Sequence, residues 1–291
     1  MDQLAAVLAL VAAASFALAA TLWQRASIDQ GVEPGDSKGM LKLVTNTVWL
    51  LGLGAQVVGV LLQMAALDRG RVAIIQPLLV TSIVWALPLG YFLTQQRITR
   101  AHVLGATIIV VGLAVFGTVG DPAGGVDDAA GLDWMLALLV LGVVCAGLLV
   151  LSSRGEMGRR AALVGATAGI LYGASATLMK PVVEHWHDDG FGAMLADWEF
   201  WAMAFCGLVG FYLQQVSLAT GKLVTSVATV SVVNPIVSVA LGAIILQERL
   251  DSDPTWHWVA AVAALAVALV GATVIASASE ETTREAQPAI A

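Results

Sequence analysis

The side chains that could do chemistry in this chain are few, uncharged and set inside long apolar runs: Gln56, Gln63, Tyr212, Gln214 and Gln215, then Ser231 and Asn234. Gln56 and Gln63 are seven residues apart and so share one face of a helix. An amide in hydrocarbon is costly unless it pairs, so these groups turn inward, either to bond another helix or to contact a small solute. Pro77, Pro88 and Pro235 add a second kind of chemistry. Each lacks an N–H and frees the carbonyl four residues earlier, at Ala73, Val84 and Ser231. Such a carbonyl inside a bundle takes an ion or a donor, or the proline acts only as a kink. Asn234-Pro235 lies near the middle of its run with Thr225, Thr229, Ser231 and Ser238 around it, and is the foremost candidate binding position. Gln76-Pro77 lies near the end of its run and reads as a gate, with Pro88 and Pro235 as hinges.

Tyr172, Ser175 and Thr177 share a third run that ends in Lys180, which is either a snorkelling anchor or a handle for an anionic group. Trp85 sits deep in its run, where an indole stacks on a flat substrate or fills the core. No catalytic set accompanies these groups. HExxH, GxSxG and P-loop patterns are missing and the connections are short, so the chain reads as a non-enzyme without a cofactor or a metal-ligand set. Cys145 and Cys206 fall inside apolar runs, away from any CxxC spacing, and read as small apolar side chains.

The elements that must position these residues are nine apolar stretches, at 3–24, 44–67, 72–94, 101–119, 133–151, 161–180, 198–219, 222–247 and 256–277. Each approaches the about 20 residues that cross a bilayer as a helix. A chain that is 58% hydrophobic and 12% charged has lipid as its main solvent. The expected fold is therefore an all-α polytopic membrane protein, with a short disordered tail at 278–291. The first stretch resembles a secretory signal only in position: Met1-Asp2-Gln3 carries no positive charge and the apolar run is too long. The net charge of −7 resides in loops and tail, so no basic stripe offers a surface to nucleic acid. The partners implied are the lipid bilayer and a small-molecule substrate, and a homodimer is compatible with the sequence.

Cytoplasmic loops accumulate Lys and Arg, and that fixes an expected orientation. With nine crossings, one side receives Arg25, Lys38, Lys42, Arg97, Arg100, Arg154, Arg159, Arg160, Lys222 and Arg284, and the other only Arg69, Arg71, Lys180 and Arg249. The N-terminus is then outside and the C-terminus cytoplasmic, in a multi-pass protein of the cell membrane. The outer loops collect Asp121, Asp127, Asp128, Asp133, Glu184, Asp188, Asp189 and Asp197. Trp134, Trp186, Trp198, Trp201, Trp256 and Trp258 fall at the outer span ends, where indoles anchor at the headgroup level.

The chain also repeats itself. Ser15 to Leu22 (SFALAATL) matches Leu171 to Leu178 (LYGASATL), and Gln63 to Val72 (QMAALDRGRV) matches Gln214 to Leu223 (QQVSLATGKL). Gln95-Gln96-Arg97-Ile98 matches Gln247-Glu248-Arg249-Leu250, and His102 and His257 open the following spans. Spans one to four (1–119) thus correspond to six to nine (161–277), with 133–151 as a connector. An odd number of crossings separates equivalents, so the halves are inverted, as in many secondary transporters that bind substrate between them. Gly165, Gly169 and Gly173, with counterparts Ala9, Ala13 and Ala17, let helices approach closely.

Paired halves, Gln76-Pro77-Leu78-Leu79, Val233-Asn234-Pro235-Ile236 and the Gln-Gln/Glu-Arg span ends resemble the drug/metabolite transporter superfamily, of the EamA-like kind. Nine spans and an external N-terminus resemble its NIPA-like branch, whose name-giving members are linked to magnesium transport. Gly59 to Leu67 (GVLLQMAAL) is similar to that branch's acidic motif, with Val60 at the acidic position and Gln63 at the asparagine position. The resemblance implies a lysine placed as Lys180 is. The sequence places no carboxylate at membrane depth, which favours a small neutral or amphipathic metabolite as cargo over magnesium, an ion that prefers oxygen ligands and sheds water reluctantly. A magnesium carrier using the Ser231 and Asn234 carbonyls is the alternative, and a non-transporting membrane scaffold is the alternative of another class.

Overall fold

A computed structural model describes residues 3–30, 45–94, 98–119, 122–126, 129–153, 157–218, 223–250 and 256–286. The described residues are helical nearly throughout. Its helices are α1 (Gln3–Asp29), α2 (Thr47–Leu67), α3 (Val72–Leu79), α4 (Ser82–Thr94), α5 (Arg100–Val119), α6 (Gly131–Ser152), α7 (Met157–Asp189), α8 (Phe191–Ala196), α9 (Trp198–Leu218), α10 (Leu223–Ile244) and α11 (Trp256–Ala286). A two-stranded antiparallel ribbon joins β1 (Pro122–Gly124) to β2 (Glu248–Leu250). Among the described residues, six helices are long and apolar enough to cross a membrane: 3–26, 47–67, 72–94, 131–152, 159–189 and 198–217. Further apolar stretches lie within α5, α10 and α11. This is a multi-pass membrane protein.

Several helices outrun the stretches that hydropathy marks. α1 continues to Asp29, α7 passes through Pro181 to Asp189, and α11 stays helical to Ala286, past the point where a disordered tail is expected. The third span is broken. α3 and α4 are separated by Val80-Thr81, where i→i−3 bonds replace the helical ladder and the Thr81 hydroxyl donates to the Leu78 carbonyl at 2.6 Å. The break falls one turn after Pro77, whereas the N–H that this proline lacks would have served the Ala73 carbonyl one turn before it. At α2 the start is fixed by Asn46, whose Oδ1 accepts from the N–H groups of Val48 and Trp49.

Small residues set which helices touch. Along α1 and α2 the contacts run antiparallel: Gly52 against Trp23 and Ala19, Gly59 against Phe16, Gly70 against Ala5. α7 and α9 cross in the same sense, with Gly210 against Tyr172 and Ala168, while α7 and α10 run parallel, Gly169 meeting Val233 and Gly173 meeting Val237. α5 packs antiparallel on α11 through Gly105, Gly112 and Gly271. The residues of the largest core cluster gather from α1, α2, α3, α6, α7 and α10: Ala9, Leu67, Val72, Ile75, Trp134, Leu178, Leu241 and Leu246 are all buried there. That cluster gathers toward one end of the bundle.

The α5–α11 seam yields a first expected outcome. A Cβ on Gly105 would lie 2.8 Å from the Gly271 carbonyl oxygen and 2.6 Å from the Ile275 side chain, whereas at Gly54 it would meet open space. Gly105→Ala forces the two backbones apart and costs about 1–3 kcal/mol. Thermal unfolding of the purified protein in detergent checks this, with Gly54→Ala unchanged beside it.

Candidate functional site

The polar side chains inside the spans sort into two groups. Gln63 on α2, Gln76 and Pro77 on α3, and Pro235 on α10 are buried; Gln56, Tyr172, Ser175, Gln214, Gln215, Ser231 and Asn234 are half-buried. Tyr172 and Gln214 meet directly. The phenol donates to Gln214 Oε1 at 2.8 Å, joining α7 to α9, and the Ser175 hydroxyl bonds the Met203 carbonyl at 3.0 Å along the same seam. These two are thus engaged between helices, one of the two uses open from sequence.

Asn234 stands differently. Gly169 and Gly173 of α7 press against its backbone N–H and carbonyl, so its stretch of α10 is held against the neighbouring helix. The Ser238 hydroxyl takes the Asn234 carbonyl at 2.9 Å. Asn234 Oδ1 is buried, and among the described residues it accepts no hydrogen bond. A buried carbonyl oxygen without a donor is costly, and a cation or a donor group would relieve it. Pro235 leaves the Ser231 carbonyl without its helical N–H partner one turn earlier. The Asn234 side-chain oxygen and the Ser231 carbonyl that Pro235 deprives of its ladder N–H therefore lie within one turn of α10.

Toward the same end as the core cluster, Gln76 is 2% exposed and its amide nitrogen has no acceptor among the described residues. α3, which carries it, is an eight-residue half-helix packed against α1, α7 and α10. Its N-terminus is held by Glu248 of β2, whose Oε1 accepts from the Val72 N–H at 2.9 Å and whose Oε2 accepts from the Ala73 N–H at 2.8 Å. Glu248 is 5% exposed. A carboxylate at a helix N-terminus satisfies donors that no residue of the helix can reach and meets the positive end of its dipole. Lys180 does the reverse for α2: its ammonium donates to the Leu67 carbonyl at 3.3 Å, at that helix's C-terminal end. It ties α7 to α2.

Other expected positions are exposed. Trp85 is 44% exposed and lies with Pro88 on an open groove shared with Ile98, Val103, Ala106 and Thr107 of α5 and the residues before it. Tyr212 is 65% exposed and points outward from α9. Trp134 departs in the opposite direction: expected at the headgroup level, it is fully buried in the core cluster. Trp186, Trp198 and Trp201 are exposed, as interface anchors should be. The side chains of Thr225, Trp256 and Trp258 lie outside what the structure describes. Cys145 and Cys206 are buried free thiols.

Glu248 is the residue that sequence reading missed, because a charge beyond a span end reads as solvated loop. The signal was the repeat itself, which sets Glu248 against Gln96 as one carboxylate and one amide at matching span ends.

No family model matches the chain, and no solved structure matches it. It is 28% identical over 234 residues to an uncharacterised protein of Corynebacterium glutamicum, an alignment that covers 80% of this chain and 81% of that protein. It is 25% identical over 225 residues to the probable magnesium transporter NIPA9 of Arabidopsis thaliana, covering 72% of this chain and 64% of the plant protein, less than two thirds of its length.

Proposed function

We propose that the chain is a secondary transporter of the cell membrane that moves a divalent cation of the magnesium class by alternating access between two inverted halves, 1–119 and 161–277, joined by 133–151. A non-enzymatic membrane protein with a probable transporter among its relatives is the base of this reading. Matching contacts support the inverted halves. Gly59 against Phe16 has its counterpart in Gly210 against Tyr172, and Gly52 beside Ala19 has its counterpart where Ser175 bonds Met203. The Thr21 hydroxyl bonds the Ala17 carbonyl as the Thr177 hydroxyl bonds Gly173.

The observation that carries the choice of cargo is Asn234 Oδ1, a buried acceptor without a donor among the described residues, beside the carbonyl that Pro235 frees. Oxygen dipoles of this kind suit a hard cation that keeps part of its water shell. The likeness to a probable magnesium transporter points the same way and moves the preference from a neutral metabolite to the ion. In this reading the N-terminus is outside, the Glu248-held end of the bundle is the outer gate, and Gln76-Pro77 lies within it.

A small neutral or amphipathic metabolite is the second reading, favoured by the uncharged amides and phenol at Gln63, Tyr172 and Gln214. Complementation separates the two. Expression in a bacterial strain lacking its own magnesium uptake restores growth at limiting Mg²⁺ if the ion is the cargo. Full membrane expression without rescue removes magnesium import.

A further inference from the structure

The acidic end of the bundle carries a second constellation, away from Asn234. His185 lies in the segment of α7 beyond Pro181, Asp197 is the residue before α9, and Glu199 is in the first turn of α9. One ligand atom from each of the three lies within 4.8 Å of the others. His185 Nδ1 and Asp197 Oδ2 are 2.9 Å apart, and Glu199 is 5% exposed. A helix start accounts for two carboxylates, since both lie near a positive dipole end. It does not account for an imidazole brought from another helix with its ring nitrogen on the same point.

The donor set specifies the ligand. Metal–nitrogen and metal–oxygen bonds of about 2.0–2.2 Å place neighbouring donors about 3–4 Å apart around one ion, close to the spread of these three atoms. One imidazole with two carboxylates is a mixed N/O set that suits zinc and its first-row neighbours, whereas Mg²⁺ prefers oxygen throughout and keeps its water. We infer that His185, Asp197 and Glu199 form a site for a divalent transition metal of the zinc class, which pins the outer end of α7 to the start of α9. The ion would fasten the same helix pair that Tyr172–Gln214, Ser175–Met203 and the Ser217 hydroxyl on the Ala161 carbonyl already join. Water completes its coordination.

The test uses the full chain without a histidine tag, purified in detergent and stripped with a chelator. Zn²⁺, Mn²⁺ and Mg²⁺ are titrated while tryptophan emission is followed, because Trp186 and Trp198 flank the ligands, and retained metal is counted after gel filtration. Wild type is expected to keep one zinc per chain, and Mg²⁺ in equal amount does not displace it. His185→Ala and Asp197→Asn each weaken binding by about 100-fold or more, since even changes behind the ligands cost about 10- to 100-fold. His187→Ala, on the neighbouring His187–Asp68 pair, leaves binding unchanged. Glu199→Gln, nearly isosteric, keeps the effect readable should His185→Ala fold poorly. No retained zinc in wild type, equal binding of Mg²⁺, or unchanged affinity in Asp197→Asn and Glu199→Gln overturns the site. The readout is binding alone, so a failure of magnesium transport leaves the result interpretable.

Discussion

Asn234→Ala is expected to raise the half-saturating Mg²⁺ concentration for uptake by about 10- to 150-fold while leaving the folded protein nearly as stable as wild type. The expectation comes from one atom. Asn234 Oδ1 makes no hydrogen bond among the described residues, so its removal deletes no bond that holds α10 in place. Contact with a charged group is worth about 1.5–3 kcal/mol, and every 1.4 kcal/mol is tenfold in affinity, which gives the range. Asn234→Asp is the informative companion, because a carboxylate of the same size offers the ion a full charge and should retain or tighten binding. Uptake kinetics of both variants, with thermal unfolding beside them, check the pair. An unchanged half-saturating concentration in Asn234→Ala would move the cargo site elsewhere.

The second large effect belongs to Glu248 and acts on stability. In Glu248→Ala the N–H groups of Val72 and Ala73 lose both acceptors at a helix start that is buried on every described position from Val72 to Pro77. A buried donor left without a partner costs about 1–3 kcal/mol, so the two together come to on the order of 4 kcal/mol. Glu248→Gln keeps one carbonyl oxygen and loses the charge, and falls between. Thermal unfolding in detergent orders the three as wild type, Glu248→Gln, Glu248→Ala. Equal midpoints for all three would mean that water or another acceptor holds α3, and the gate reading would lose its latch.

The helical, membrane-spanning character was legible because a backbone in hydrocarbon must bond to itself, which leaves long apolar runs as an unmistakable trace. The inward faces were not. A span that is apolar all round gives no direction, so Trp85 and Tyr212 read as interior residues although both are exposed, and Trp134 read as an interface anchor although it is sealed in the core. Proline marked the third span as irregular, but the break lies at Val80-Thr81, between Pro77 and Pro88, and not at the Ala73 carbonyl that Pro77 frees. Span lengths were underestimated at α7 and α11, because hydropathy ends where lipid ends while a helix runs on. Tertiary placement decided the charges. Glu199 and Glu248 lie beyond or at the ends of their spans, and only packing against α7 and α3 shows that both are buried.

Direct flux tests the central claim. Purified protein in liposomes that enclose a magnesium-sensitive dye should show saturable Mg²⁺ entry, absent from protein-free liposomes and reduced in Asn234→Ala at limiting ion. Liposomes that hold folded protein and pass no Mg²⁺, while a neutral metabolite exchanges across them, would contradict it.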